Sequence, residues 1–193
     1  MTTMRKVIKA PRIGIRDLEL GDLQHILNYW FHSPEGFVES MGVDLAKMPT
    51  ESEMNEHLTK RLQVNATLEK SRLNALVILH DNRPIGFHTL VPFTEGESGV
   101  FHAHIWQADM RKKGVGYHSY PKACLLFMER FKLQKIIFKT PEQNIGAIKV
   151  KEKLGIRCIG EEVIGFDIIK YGTIGKVFEL TRDEAIQKWP EIL

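Results

Sequence analysis

Ile13 and Ile15 alternate with Arg12, Gly14 and Arg16, the period of a half-buried strand. The period then changes, because Leu23, Ile26, Leu27 and Trp30 share one helical face behind Asp22, whose charge suits a first turn. Pro34, Gly36 and Gly42 predict an irregular or broken helical connection over 32–48. Thr50 and Glu53 form a capping-box pattern after Pro49, and Met54, Leu58 and Leu62 recur every fourth residue, giving a second helix that ends near Val64. Two apolar runs, Ala75 to Leu79 and Ile85 to Val91, flank the turn Asp81-Asn82-Arg83-Pro84 and predict an antiparallel hairpin. A glycine-rich turn from Glu95 to Gly99 leads into a strand from Val100 to Trp106.

Further along, Tyr120, Cys124, Phe127 and Phe131 stripe one face of a helix. Pro121 fits poorly, since a proline beyond the first turn removes a hydrogen bond and crowds the preceding carbonyl. Either this helix begins after Gly116 or it is kinked. Lys135 to Thr140 reads as a strand, Ile145 to Leu154 as a helix stopped by Gly155, and Ile156 to Ile159 and Lys176 to Leu180 as the last two strands.

The order is strand, two helices, three strands, helix, strand, helix, two strands. It predicts an α/β (α+β) fold, a mixed sheet with helices on both faces. The chain has 193 residues, which suits a single domain over 1–193, and no repeat or composition shift marks a boundary. Hydrophobic residues at 43% and charged residues at 26% match a soluble globular protein. No apolar stretch is long enough for a membrane span and the N-terminus lacks a signal-peptide pattern, so a cytoplasmic protein without membrane partners is expected. Cys124 and Cys158 suggest neither a disulfide framework nor a zinc site and read as small buried hydrophobes. The net charge of +3 is too small to imply nucleic-acid binding. Lys132, Lys135, Lys139, Lys149, Lys151 and Lys153 crowd one segment, which suits either a polyanionic small ligand or a solvated face.

The candidate chemistry begins at Arg111-Lys112-Lys113-Gly114-Val115-Gly116, between a strand and a helix. Glycines let a backbone approach a ligand closely, and the following helix offers unpaired N–H groups and the positive end of its dipole. Together they describe a phosphate cradle. A Gly-x-Gly turn alone is common, and a dinucleotide site is disfavoured because Ser119 stands where a third glycine belongs.

A second motif, Asn144-x-x-Ala147 followed by Lys153-x-Gly155, decides between readings. With it, the chain resembles the GNAT superfamily of N-acetyltransferases from about Ile13 to Thr181. The ending Val177 to Glu184 further resembles the branch that acetylates protein N-termini, ribosomal proteins included. The resemblance implies a mostly antiparallel sheet of six to seven strands and acetyl-CoA as co-substrate. It places the coenzyme pyrophosphate on backbone N–H groups from Lys112 through Lys113, Gly114, Val115 and Gly116 to Tyr117, with charge from Arg111 and Lys113. The pantetheine arm falls on Ile105, Trp106 and Gln107, and on Asn144, which is equally placed to cap the next helix.

The chain departs from the family at its chemistry. The position of the family's tyrosine acid is Lys151, so the tyrosine mechanism does not carry over. An ammonium there could donate a proton or meet a coenzyme phosphate, and Lys151 is assigned to the coenzyme and not as the acid. In place of a glutamate base the strand carries His102 and His104, which share a face with Trp106. Either histidine is a candidate base or acceptor contact, and either also reads as a packed residue. A His-x-His metal pair lacks a third ligand, so no metal is expected. The acceptor should enter between the first two helices and the last hairpin, where Trp30, Phe31, His32, Phe37 and Tyr171 offer aromatic surface, although Trp30 has the phase of a core residue. The reading is an N-acetyltransferase acting on a small-molecule or peptide amine by direct attack, with a catalytically silent acyl-CoA-binding protein as the alternative. A homodimer is compatible with either.

Overall fold

The computed structural model describes residues 12–63, 74–164 and 168–192. Its strands are β1 (Ile13–Asp17), β2 (Ala75–His80), β3 (Arg83–Thr94), β4 (Ser98–Ile105), β5 (Lys135–Pro141), β6 (Arg157–Val163) and β7 (Ile174–Thr181). Its α-helices are α1 (Leu23–Phe31), α2 (Glu51–Gln63), α3 (Val115–Arg130), α4 (Ile145–Lys153) and α5 (Arg182–Lys188). The strands form one sheet in the order β1-β2-β3-β4-β5-β7-β6. β4 and β5 run parallel, and the other neighbours are antiparallel.

Strand alternation divides the apolar side chains between two cores. Ala75, Val77 and Phe87 pack under α1 with Ile26 and Tyr29, while Leu76, Leu90, Phe101, Phe138 and Phe178 pack against α3, α4 and α5. The predicted stripe of α3 lies in the second core, with Cys124 and Phe127 fully buried. The predicted capping box of α2 is present, Thr50 N–H donating to Glu53 Oε2 at 2.8 Å. The connection between α1 and α2 contains two short 3-10 turns, Glu39–Met41 and Leu45–Lys47. Gly155 ends α4 at φ +65°.

Three readings need correction. α3 begins at Val115 and carries Pro121 inside it, so a late helix start is ruled out. Cys158 is exposed, because β6 is an edge strand and most of its side chains face solvent. The element order also lacked α5, although Thr181 and Glu184 form a complete capping box, with Thr181 N–H donating to Glu184 Oε2 at 2.8 Å. The predicted end of α2 at Val64 falls outside the described residues.

Candidate active site

β4 and β5 pair at three positions, Ser98 with Lys135, Gly99 with Ile136 and Val100 with Ile137. Beyond Val100 they part, β4 continuing to Ile105 against β3 and β5 to Pro141 against β7. The parting leaves a stretch of β4 edge without a strand partner and opens a wedge through the sheet. The wedge is a cavity of about 420 Å3, lined by His102, Ala103 and His104 from β4, Lys139 to Pro141 from β5, and Asn144, Ala147 and Lys151. Two backbone bonds roof it. Asp44 N–H donates to Ile168 O at 2.8 Å and Lys170 N–H to Gly42 O at 2.9 Å, joining the α1–α2 connection to the segment before β7.

At one end of β4 stands the basic turn. Lys112 (φ +61°) and Gly114 (φ +79°) are left-handed, and α3 starts at Val115 with no side chain capping it. His118 N–H donates to Gly114 O at 3.3 Å, so the N–H groups of Val115, Gly116 and Tyr117 precede the helical ladder. Such converging donors at the positive end of a helix fit a pyrophosphate, and exposed Lys112 and Lys113 add charge beside it. The two glycines do different work. Gly114 supplies the left-handed turn, whereas a Cβ on Gly116 would come within 3.2 Å of a methyl of Val150 on α4.

Arg111 is committed to the protein itself. Its Nε donates to Ile105 O at 2.9 Å, and its guanidinium lies 3.9 Å from the centre of the Phe37 ring. It ties the end of β4 to the α1–α2 connection. Gln107 N–H donates to Ile85 O at 3.1 Å, and Trp106 Nε1 donates to Pro84 O at 3.2 Å. Asn144 caps α4, its side chain accepting from Ala147 N–H at 3.2 Å, and it lines the cleft as well.

His104 sits among Phe87, Trp30 and Tyr29, with its ring 4.7 Å from Phe87 centre to centre. Burial, helped by His102 and His88, pushes its pKa down to about 3. It is a neutral imidazole at physiological pH. Tyr29 Oη lies 3.2 Å from His104 Nδ1 and 3.2 Å from Met41 Sδ. The hydroxyl has one proton for two neighbours. When it goes to the sulfur, the oxygen accepts Nδ1–H and Nε2 of His104 keeps its lone pair. Burial raises the Tyr29 pKa, so the hydroxyl stays protonated. His102 differs in that its Nε2 lies 2.8 Å from Val91 O, and burial lowers its pKa too.

Lys151 lies on the cleft floor, 3% exposed, donating to Ala147 O at 3.1 Å. The rings of Tyr120, Phe138 and Phe178 surround its ammonium at 5.5, 5.6 and 5.9 Å. No carboxylate among the described residues offsets its burial, which pushes the pKa down to about 7. Proton exchange near neutrality is therefore built into the floor of the cleft.

Residues 12–157 match the family described as the acetyltransferase (GNAT) domain. The chain belongs to the GNAT acetyltransferase family. No curated protein matches it in sequence. Among solved structures it is similar to the spermidine N-acetyltransferase of Vibrio cholerae in complex with CoA and spermine, at 20% identity and a TM-score of 0.70, over 90% of this chain and 98% of that one. It is also similar to a GNAT-family acetyltransferase of Bacillus anthracis, at 16% identity and a TM-score of 0.67, over 91% of this chain and 98% of that one. The protein is thus a GNAT acyltransferase that uses acetyl-CoA.

The structure brings His102, His104, Asn144 and Lys151 of this acetyltransferase to one cavity, with the basic turn beyond its β4 wall. It does not bring Tyr171 there, since that ring is 98% exposed. His32 is exposed and pairs with Glu51. Trp30, read as a core residue, is half-buried and lines the cleft, because α1 overhangs the opened sheet at that point. The lysine cluster disperses, with Lys135 paired to Glu179, Lys139 to Glu162, and Lys153 over the Tyr117 ring. Sequence reading missed Tyr29 and Tyr120. Both share helical stripes with apolar neighbours, so their polar tips left no signal. Among the described residues no group of three His, Cys, Asp or Glu could hold a metal ion, and no helix is long and apolar enough to cross a membrane.

Proposed function

We propose that this acetyltransferase moves an acetyl group from acetyl-CoA to a primary amine by direct attack of the amine on the thioester. The observation that carries the reading is the wedge between β4 and β5, which joins an open strand edge, the neutral His104 and the buried Lys151 in one cavity. A thioester supplies an activated acyl carbon and a thiolate leaving group, and the protein must supply order and protons. The N–H groups ahead of α3 hold the pyrophosphate, and the free edge of β4 with Asn144 takes the pantetheine arm. His104 orients the amine and accepts a hydrogen bond from it. With so low a pKa, its share is alignment more than full proton abstraction. Lys151 carries a proton where the departing thiolate needs one. The similar spermidine N-acetyltransferase, solved with CoA and spermine, binds an amine on this fold.

Calorimetric titration with acetyl-CoA, followed by thiol-release assays over a panel of amines and peptides, tests the reading. Binding with amine-dependent thiol release is expected. Binding without release from any amine would return the chain to the silent, acyl-CoA-binding class. His104→Gln should lower kcat/KM by roughly tenfold to a hundredfold with acetyl-CoA affinity unchanged.

A further inference from the structure

Two lysine amines line the wedge between β4 and β5, Lys139 and Lys151. Their surroundings are opposite. Lys139 is ion-paired with Glu162, which favours its charged form. Lys151 Nζ spends one N–H on Ala147 O at 3.1 Å and otherwise meets the rings of Tyr120, Phe138 and Phe178. Its charge reaches His102 on the β4 wall, so the amine belongs to the side of α4 that faces the open strand edge. Burial takes the proton from a share of Lys151 at neutral pH. The neutral amine keeps its bond to Ala147 O and has a lone pair to offer.

A lone pair on the floor of a cavity that takes a thioester is a nucleophile. With the pantetheine arm on the β4 edge, the thioester carbonyl and Nζ occupy the same water-poor space, and a neutral amine needs no base to begin its attack. Nζ adds to the carbonyl carbon and an N–C bond forms. The C–S bond breaks, its electron pair leaves on the coenzyme sulfur, and the proton shed by Nζ passes to that sulfur. The products are coenzyme A and an amide at Lys151. The amide carries no charge, so the cost of a buried ammonium is removed and the reverse reaction gains nothing from it.

We propose that Lys151 is a self-acetylation site, its amine taking the acetyl group of acetyl-CoA bound in the wedge between β4 and β5 when no acceptor amine is present. The proposal rests on the reading that places the acyl donor in that wedge. Acetylated Lys151 no longer ionises, which ends the supply of a proton to the departing thiolate.

The test uses the full chain, shown by intact mass to be unmodified at the start. Acetyl-CoA titration comes first, and then incubation with acetyl-CoA alone, with intact mass and peptide mapping at intervals. We expect one added acetyl group, on Lys151, at a rate that saturates with acetyl-CoA and exceeds that at exposed Lys112 and Lys113 tenfold or more. The adduct should survive hydroxylamine, as an amide does, and excess coenzyme A should suppress its formation. Lys151→Met should take up acetyl at least tenfold more slowly than the parent chain. Acetyl-CoA binding with no acetyl on Lys151, or acetylation there no faster than at Lys112 and Lys113, overturns the proposal. A hydroxylamine-labile adduct on Cys124, the buried thiol near Lys151, overturns it by naming a different nucleophile. Failure of acetyl-CoA to bind overturns the donor reading instead.

Discussion

Lys151 costs the fold stability that a methionine in its place would not. Its ammonium is buried against three rings and one carbonyl, and its pKa falls from 10.5 to about 7. Between those values the unfolded chain holds a proton that the native lysine has released, so stability must rise as pH climbs from about 7 towards 10. Lys151→Met should raise stability at pH 7 by on the order of a few kcal/mol and remove that part of the rise. Urea unfolding of both proteins at pH 7 and 9 measures it, and a destabilised variant would show that the ammonium is better compensated than its neighbours indicate. A second residue-scale prediction concerns Tyr29. Tyr29→Phe removes the oxygen beside His104 Nδ1 and leaves the ring packing in place. It should lower kcat/KM roughly tenfold, with little effect on acetyl-CoA affinity. Equal activity in the two proteins would mean that packing alone orients the imidazole.

At the scale of elements, the phosphate cradle depends on how closely α3 approaches α4. Gly116 permits that approach, because Val150 fills the space a side chain would need. Gly116→Val should push the two helices apart, cost about 1–3 kcal/mol and weaken acetyl-CoA binding by at least tenfold. Calorimetry and thermal unfolding together check it, and stability loss with unchanged affinity would separate the cradle from the packing. Pro121 belongs to the same helix. Its missing N–H leaves Tyr117 O without the usual helical donor one turn earlier, yet α3 runs through to Arg130 because the packing of Tyr120, Cys124, Phe127 and Phe131 outweighs one lost bond.

For the whole molecule, the sheet buries histidines that would be charged in the unfolded chain at mildly acidic pH. Burial pushes His88 and His104 down to about 3 from 6.5. As pH falls below 6.5, the unfolded chain takes up protons that the native one refuses, so stability drains away towards pH 3. His88 alone should contribute about 1.4 kcal/mol per pH unit in that window. The urea midpoint should therefore fall between pH 7 and pH 5, and His88→Gln should reduce the fall. A flat midpoint would contradict it.

The order of elements was legible along the chain because local rules decide it. Strand alternation in 13–16, the stripe of α3 and the capping box of α2 each involve residues within a turn or two of one another. The turn from Arg111 to Gly116 and the pair Asn144 and Ala147 were legible for the same reason. α5 escaped although its capping box is equally local, since in the sequence Val177 to Glu184 reads only as an ending that resembles one branch of the family. What the tertiary structure alone decided is distance across the fold. The parting of β4 and β5, the pairing of Tyr29 with His104, the seating of Arg111 over Phe37, and the burial of Lys151 join residues far apart in sequence. Burial is a property of the surroundings, so the pKa values that set the chemistry of His104 and Lys151 exist only once those surroundings have assembled.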